Sequence, residues 1–235
     1  MSVPLIHQIE AAEAEHLTLY GGEVARFGAV RAVYAGPDLP VNVAAGFGTS
    51  LNGLDDTETF YAAHTLPSRL VLYSHFPHWE TVAARGYRLA RLLNIYARPL
   101  EGATAPPALT VRLSPPAEFA RLTAEAFGPG SEEIMARTSQ RSKTLLLAAE
   151  LDGEPVAAGA LSVFGKVALL FSTATLPAFR GRGAQTALLA ARLRAARDGG
   201  TRWAAVMTTP GSASERNVLR AGFTLAGTRL SLAQA

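Results

Sequence analysis

The chain of 235 residues contains no cysteine. Disulfides, thiolate metal sites and cysteine nucleophiles are therefore excluded, and the absence fits a reducing, cytoplasmic setting. Long apolar runs are also missing: LVLY, LLNIY, LLLAA and VALLF are strand-length, far short of the roughly 18 residues that span a bilayer. No membrane partner is expected. Lysine is nearly absent, with Lys143 and Lys166 alone, and 22 basic against 19 acidic side chains is a small excess spread along the chain. That distribution argues against a nucleic-acid partner. The opening stretch MSVPLIHQIEAAEAEH lacks a basic segment followed by an apolar core, so no secretory leader is expected. No Gly-Lys-Ser/Thr string exists, which disfavours P-loop NTP chemistry.

What is present is the composition of an ordered globular protein, 49% hydrophobic and 17% charged. The length suits one large domain or two of about 100 to 150 residues. Residues 5 to 20 have helical periodicity, stopped by Gly21 and Gly22. Two short strands surround Gly28, and Val41 to Gly48 reads as another strand. Asp55 and Asp56 are placed to cap a helix that runs to about His64. A strand over Arg69 to Ser74, a short helix from His78 to Gly86 and a long strand from Tyr87 follow. PLEGATAPPA, Pro99 to Ala108, is the best linker, because proline holds itself and its predecessor extended.

Beyond it come a short strand, a helix with Pro116 in its first turn and Gly128 past its end, and a second helix over Ser131 to Ser139. Asp152-Gly153 marks a β-hairpin. The tail runs strand (Arg202 to Thr209), helix ending Ala221-Gly222-Phe223, and final strand. The first half shows the same order around Arg85-Gly86-Tyr87, so the chain reads as two diverged copies of one α/β unit.

The most informative stretch is Leu170 to Leu189, LFSTATLPAFRGRGAQTALL. An apolar strand ends near Pro177, a basic glycine turn follows, and an Ala/Leu-rich helix starts without a break. The first N–H groups of a helix have no intrahelical acceptor and lie at the positive end of its dipole. Small residues at Gly181, Gly183 and Ala184 let a ligand approach the backbone closely. The pattern is that of a pyrophosphate cradle; a basic glycine turn facing solvent also satisfies it.

TLPAFRGRGAQTALLAARLRAARDGG, together with TTPGSASERNVLRAGF one strand later, resembles the GCN5-related N-acetyltransferase (GNAT) family. The resemblance covers about residues 108–235. It implies an α/β (α+β) fold of two GNAT-like units, each a mixed, mostly antiparallel sheet flanked by helices. Residues 1–100 would be a degenerate copy, since the matching site reads GFGTSLNG without R-G-x-G, and 108–235 the acetyl-CoA-binding domain. It implies that the backbone at Ala174, Thr175 and Leu176 binds the pantetheine amides. It further implies that Arg180, Gly181, Arg182, Gly183, Ala184, Gln185 and Thr186 hold the pyrophosphate.

The expected reaction is acetyl transfer from acetyl-CoA to a primary amine of a small molecule or peptide. The alternative is a catalytically silent acyl-CoA-binding sensor or interaction protein. The family's catalytic residues do not carry over: Val167 to Leu170 include no carboxylate, and Val218 stands where many members have tyrosine. Ser214 and Asn217, with Ser212 nearby, are the remaining weak candidates, though each is also a good helix-start residue. Glu132 and Glu133 have two readings, positioning an amine or forming a solvated helix face. The five histidines, His7, His16, His64, His75 and His78, all lie in the first half, away from the motif. Pro77 and the lack of nearby carboxylates argue against a metal at His75 and His78, and no metal is expected. Two fused copies suit a monomer with an internal pseudodimer, or a homodimer.

Overall fold

The computed structural model describes residues 4–101 and 106–234. Of the expected linker, positions 102–105 lie outside the described residues. The elements in chain order are α1 (Leu5–Leu17), β1 (Glu23–Phe27), β2 (Val30–Tyr34), β3 (Ala44–Ala45), α2 (Leu54–Ala63), β4 (Arg69–Tyr73), α3 (Trp79–Ala84) and β5 (Tyr87–Pro99). They continue with β6 (Val111–Leu113), α4 (Pro116–Phe127), α5 (Glu132–Ser139), β7 (Thr144–Leu151), β8 (Glu154–Phe164), β9 (Val167–Thr175), α6 (Ala184–Asp198), β10 (Trp203–Thr208), α7 (Ala213–Arg220) and β11 (Thr224–Gln234). Among the described residues no helix is long and apolar enough to cross a membrane.

The chain forms two compact units, neither of them a single continuous segment. The first comprises residues 1–96, 207–212 and 225–235, and the second residues 97–206 and 213–224.

In the first unit the strand order is β1-β2-β3-β4-β11-β5. β1, β2 and β3 are joined antiparallel, β3 and β4 run parallel, and β4 and β11 antiparallel. The core gathers Val30, Phe47, Leu54, Phe60, Tyr61, Leu70, Leu72, Phe76 and Leu232 from sheet, helices and loops. Two local expectations need correction. Val41 to Gly48 is strand only at Ala44–Ala45: residues 41–43 are still turning, with Asn42 N–H to Leu39 O and Val43 N–H to Val41 O, and Gly46 and Gly48 adopt φ of 97° and 59° and turn the chain out of extended geometry. Asp55 and Asp56 do not cap α2. Gly53 precedes the helix in left-handed conformation, and the two carboxylates lie within the first turn, where they favour the helix dipole.

One polar cluster fixes α1 in this unit. Glu13 is buried; its carboxylate accepts from Arg229 Nε of β11 at 2.6 Å and from the Tyr73 hydroxyl of β4. Burial and the adjacent Glu13 charge hold the Tyr73 phenol well above its ordinary range.

In the second unit the order is β10-β9-β8-β7-β6, with β9 and β10 parallel and the other neighbours antiparallel. The β7–β8 turn has φ of 53° at Asp152 and 83° at Gly153. Positive φ at both central residues is the twist-compatible hairpin geometry that Asp-Gly predicts. Phe119 and Leu122 of α4 pack on Leu146, Ala148, Ala158 and Ala160, while Ala184 and Leu188 of α6 pack on Leu147, Ala149, Val156 and Ala157. Alternation along β7 and β8 thus supplies a helix-covered surface on each side.

Truncating one member of a buried ion pair strands the other's charge. Glu13→Ala should therefore lower stability by about 3–5 kcal/mol in urea unfolding. Replacing Glu13 and Arg229 together by leucine and methionine should recover much of that loss.

Candidate functional site

The site is built from β9. Opposite β8, Ala158 faces Ala174 and Ala160 faces Phe171, so Ser172 and Thr173 together oppose Gly159. Two residues against one form a β-bulge. Ser172 has φ of 46°, a conformation that costs a side-chain-bearing L-residue about 1–2 kcal/mol. On its other edge β9 pairs with β10 only as far as Leu170 opposite Val206. Residues 171–175 run on without a β10 partner, so along that edge the end of β9 has no paired strand, while β8 still pairs its other edge.

α6 holds this bulge. Arg192 is 2% exposed, and its Nη1 donates to Thr173 Oγ1 at 2.6 Å, Ala160 O at 3.3 Å and Phe171 O at 3.5 Å. Its Nε donates to Leu188 O at 3.1 Å. Among the described residues it pairs with no carboxylate, and burial without a counter-charge pulls the guanidinium down to about 9. It is still charged at neutral pH. Gly159 makes room for it: a methyl at position 159 would lie 3.1 Å from Arg192 Cζ. Sequence reasoning missed Arg192, although it shares the i, i+4 row of Ala184, Leu188 and Ala196, which is the buried stripe of α6.

Beyond Leu176, whose N–H donates to Val156 O at 2.9 Å, a single 3-10 turn leads into the glycine turn. Gly181 and Gly183 have φ of 78° and 86°, which suit glycine alone at low cost. No side chain caps α6, and the Ala187 N–H is the first to find a helical acceptor, Gly183 O at 3.0 Å. The N–H groups of Ala184, Gln185 and Thr186 are therefore the uncapped positive end of a 15-residue helix. Ala184 itself is buried and anchors the start of the helix.

The turn arginines are exposed and partly engaged. Arg180 donates to Thr175 O and Ala126 O, both at 3.3 Å, and so folds back on the end of β9. Arg182 lies 3.6 Å from an exposed carboxylate oxygen of Asp152 and over the Phe179 ring. Neither contact is of the strong, buried kind.

Gln185 ties the turn to α7. Its Nε2 donates to Ser214 Oγ at 3.1 Å, and its Oε1 accepts from Asn217 Nδ2. Asn217 Oδ1 in turn accepts from Arg220. The structure thus brings Ser214 and Asn217 together with the glycine turn through a residue that the sequence marked only for its backbone. Val218 is buried in the core. Glu132 accepts from the Gly130 N–H at 2.8 Å and Glu133 pairs with Arg137 at 3.0 Å, so both are occupied locally on α5. His75 and His78 do not converge: His78 Nε2 lies 3.1 Å from Thr49 O, whereas His75 faces α1.

Gly159→Ala should cost about 1–2 kcal/mol by crowding Arg192. Arg192→Met should cost about 2–4 kcal/mol by leaving buried acceptors unpaired. In urea unfolding the double variant should lose less than the sum of the two, since methionine can yield to the new methyl.

Residues 114–223 match the model of the acetyltransferase (GNAT) family. No curated protein matches the chain. Among solved structures, a GCN5-related N-acetyltransferase from Kribbella flavida aligns with TM-score 0.77 at 16% identity, over 99% of this chain and 96% of that one. A GCN5-related N-acetyltransferase from Sphaerobacter thermophilus aligns with TM-score 0.58 at 17% identity, over 77% and 68%. A tandem GNAT protein from the clavulanic acid biosynthesis pathway, solved without acetyl-CoA, aligns with TM-score 0.59 at 16% identity, over 89% and 81%. The chain therefore has a GNAT-like mixed α/β fold, and its residues 114–223 are similar to the acetyltransferase domain of the GNAT family.

Proposed function

We propose that this protein transfers the acetyl group of acetyl-CoA to a primary amine of a small molecule or peptide. The observation that carries the reading is the uncapped start of α6 behind two left-handed glycines, next to a β9 end whose β10-side edge is unpaired. The uncapped N–H groups suit a pyrophosphate, which the backbone of Arg180 to Thr186 would take at the positive end of α6. The backbone of Ala174, Thr175 and Leu176 would take the pantetheine amides. Acetyl-CoA supplies the activated thioester: the amine nitrogen bonds to its carbonyl carbon, the C–S bond breaks, and the thiolate takes up a proton.

The residues on α7 divide the remaining work. Asn217 has both ends of its amide engaged, so it holds Gln185 in place. Ser214 accepts from Gln185 and keeps its own hydroxyl proton to give, which makes it the better candidate to meet the developing thiolate. With no carboxylate over Val167 to Leu170, water carries the amine proton and positioning supplies most of the rate. The buried Val218 favours a second reading, a binder of acyl-CoA that does no chemistry.

The same reading takes residues 1–100 as a diverged copy without cofactor. Its support is the matching order β4-α3-β5 and β10-α7-β11, and the tandem neighbour. In its glycine loop, a side chain at Gly46 would meet Ala29 O at 2.6 Å, and the Gly48 N–H is taken by the Glu10 carboxylate at 2.9 Å. That loop is filled from inside the protein.

Calorimetry should give one acetyl-CoA per wild-type chain. Gly183→Trp places a bulky residue at φ 86° in the turn and should abolish the heat. No heat from the wild type ends the proposal. Turnover above hydrolysis with any amine in a panel supports the transferase, and binding with no turnover across the panel selects the silent binder.

A further inference from the structure

The first unit holds a cluster that neither the acetyltransferase chemistry nor the fold uses. His7 and Glu10 stand three residues apart on α1 and so share one face. His75 lies in the turn after β4, fixed on both sides by Ser74 N–H to Thr228 O and Phe76 N–H to Tyr73 O, each 2.9 Å. One ligand atom from each of the three lies within 4.8 Å of the others. The His7 and His75 rings are 4.2 Å apart by their centroids, and His75 Nε2 is 3.0 Å from Glu10 Oε2.

That close approach is not a hydrogen bond. Glu10 is 3% exposed, yet its Oε2 has no hydrogen-bond partner, and neither do His75 Nδ1 and Nε2. Buried polar atoms without partners are uncommon and call for an explanation. Glu10 Oε1 is satisfied by the Gly48 N–H at 2.9 Å, which aims the other oxygen at the imidazoles. The neighbouring acid shows the contrast: Glu13 has Arg229 and Tyr73, whereas no lysine or arginine bonds Glu10 among the described residues. Three donor groups thus converge, and among the described residues no lysine or arginine serves the Glu10 carboxylate.

We propose that His7, Glu10 and His75 bind one divalent transition metal, Zn2+ in chemistry, with a further position open to water. Two imidazoles and a carboxylate are a donor set that suits zinc, and imidazole nitrogen disfavours Mg2+ and Ca2+. The Gly48 N–H on the far oxygen of Glu10 is an outer contact of the kind that orients a ligating carboxylate. The metal would clamp α1 to the β4 turn and to the glycine loop. This departs from the sequence expectation of no metal, which weighed His75 with its neighbour His78 and without the carboxylate that α1 supplies.

The test uses the full, untagged chain stripped with chelator and titrated with ZnCl2 by calorimetry. The expected result is one Zn2+ per chain, no Mg2+ uptake, and a Tm raised by roughly 5 °C at 100-fold excess over Kd. His75→Ala and Glu10→Gln should weaken binding at least about 100-fold and remove the Tm response, while His64→Ala leaves both intact. Co2+ should give visible ligand-field absorption in the wild type and lose it in His75→Ala. If Glu10→Gln does not fold, by circular dichroism, His7→Ala decides in its place. Absence of one-to-one zinc binding in the wild type, or binding unchanged in His75→Ala and in the second variant, overturns the assignment. The acetyl-CoA experiments have an independent outcome, since they address the second unit.

Discussion

The second unit depends on how a guanidinium without a carboxylate is accommodated. Arg192 is buried in the stripe of α6 that should be apolar, and its charge is spread over the oxygens of Leu188, Ala160, Phe171 and Thr173. Two of those acceptors flank the bulge in β9. The strained Ser172 persists because a buried cation on one side and a glycine on the other determine its surroundings. α6 is also the helix whose start follows the glycine turn. A single helix thus links the geometry of the β9 end to that of the glycine turn, through one row of residues spaced four apart.

The first unit handles buried charge differently. α1 turns two glutamates inward. Glu13 meets an arginine and a tyrosine from β11 and β4, a fully bonded group that locates the helix. Glu10 meets a backbone N–H and two imidazoles. The first arrangement is closed; the second retains coordination capacity. Two acids three residues apart on one helix therefore have distinct roles, set by what the sheet places opposite each.

Local chemistry was legible in the sequence wherever it is carried by neighbours along the chain. Asp152-Gly153 gave its hairpin, Gly128 and Pro116 bounded α4, and R-G-x-G located the turn with its left-handed glycines. What was not legible depends on distant partners. Glu13 and Arg229 lie at opposite ends of the chain, and nothing in either neighbourhood announces the other. The convergence of His75 on His7 and Glu10 is of the same kind. The roles of Gln185 and Gly159 sit between these cases: a polar residue in the first turn of a helix and a glycine inside a strand each signal something, but not the Ser214–Asn217 clamp or the arginine they serve. Val41 to Gly48 failed for another reason, since apolar content suggested a strand that a turn before Ala44 and two glycines after Ala45 cut to two residues.

The place of β11 has a consequence for biosynthesis. Within the first unit's sheet this strand lies between β4 and β5, yet it follows every strand of the second unit in the chain. A ribosome releases β4 and β5 long before the strand that joins them, so the usual order of an amino-terminal unit folding first cannot run to completion here. Until residues 224–234 emerge, the apolar β4 presents an unpaired edge of the sort that invites pairing with another chain. The nascent protein thus carries this open edge through the whole synthesis of the second unit's strands, until β11 emerges.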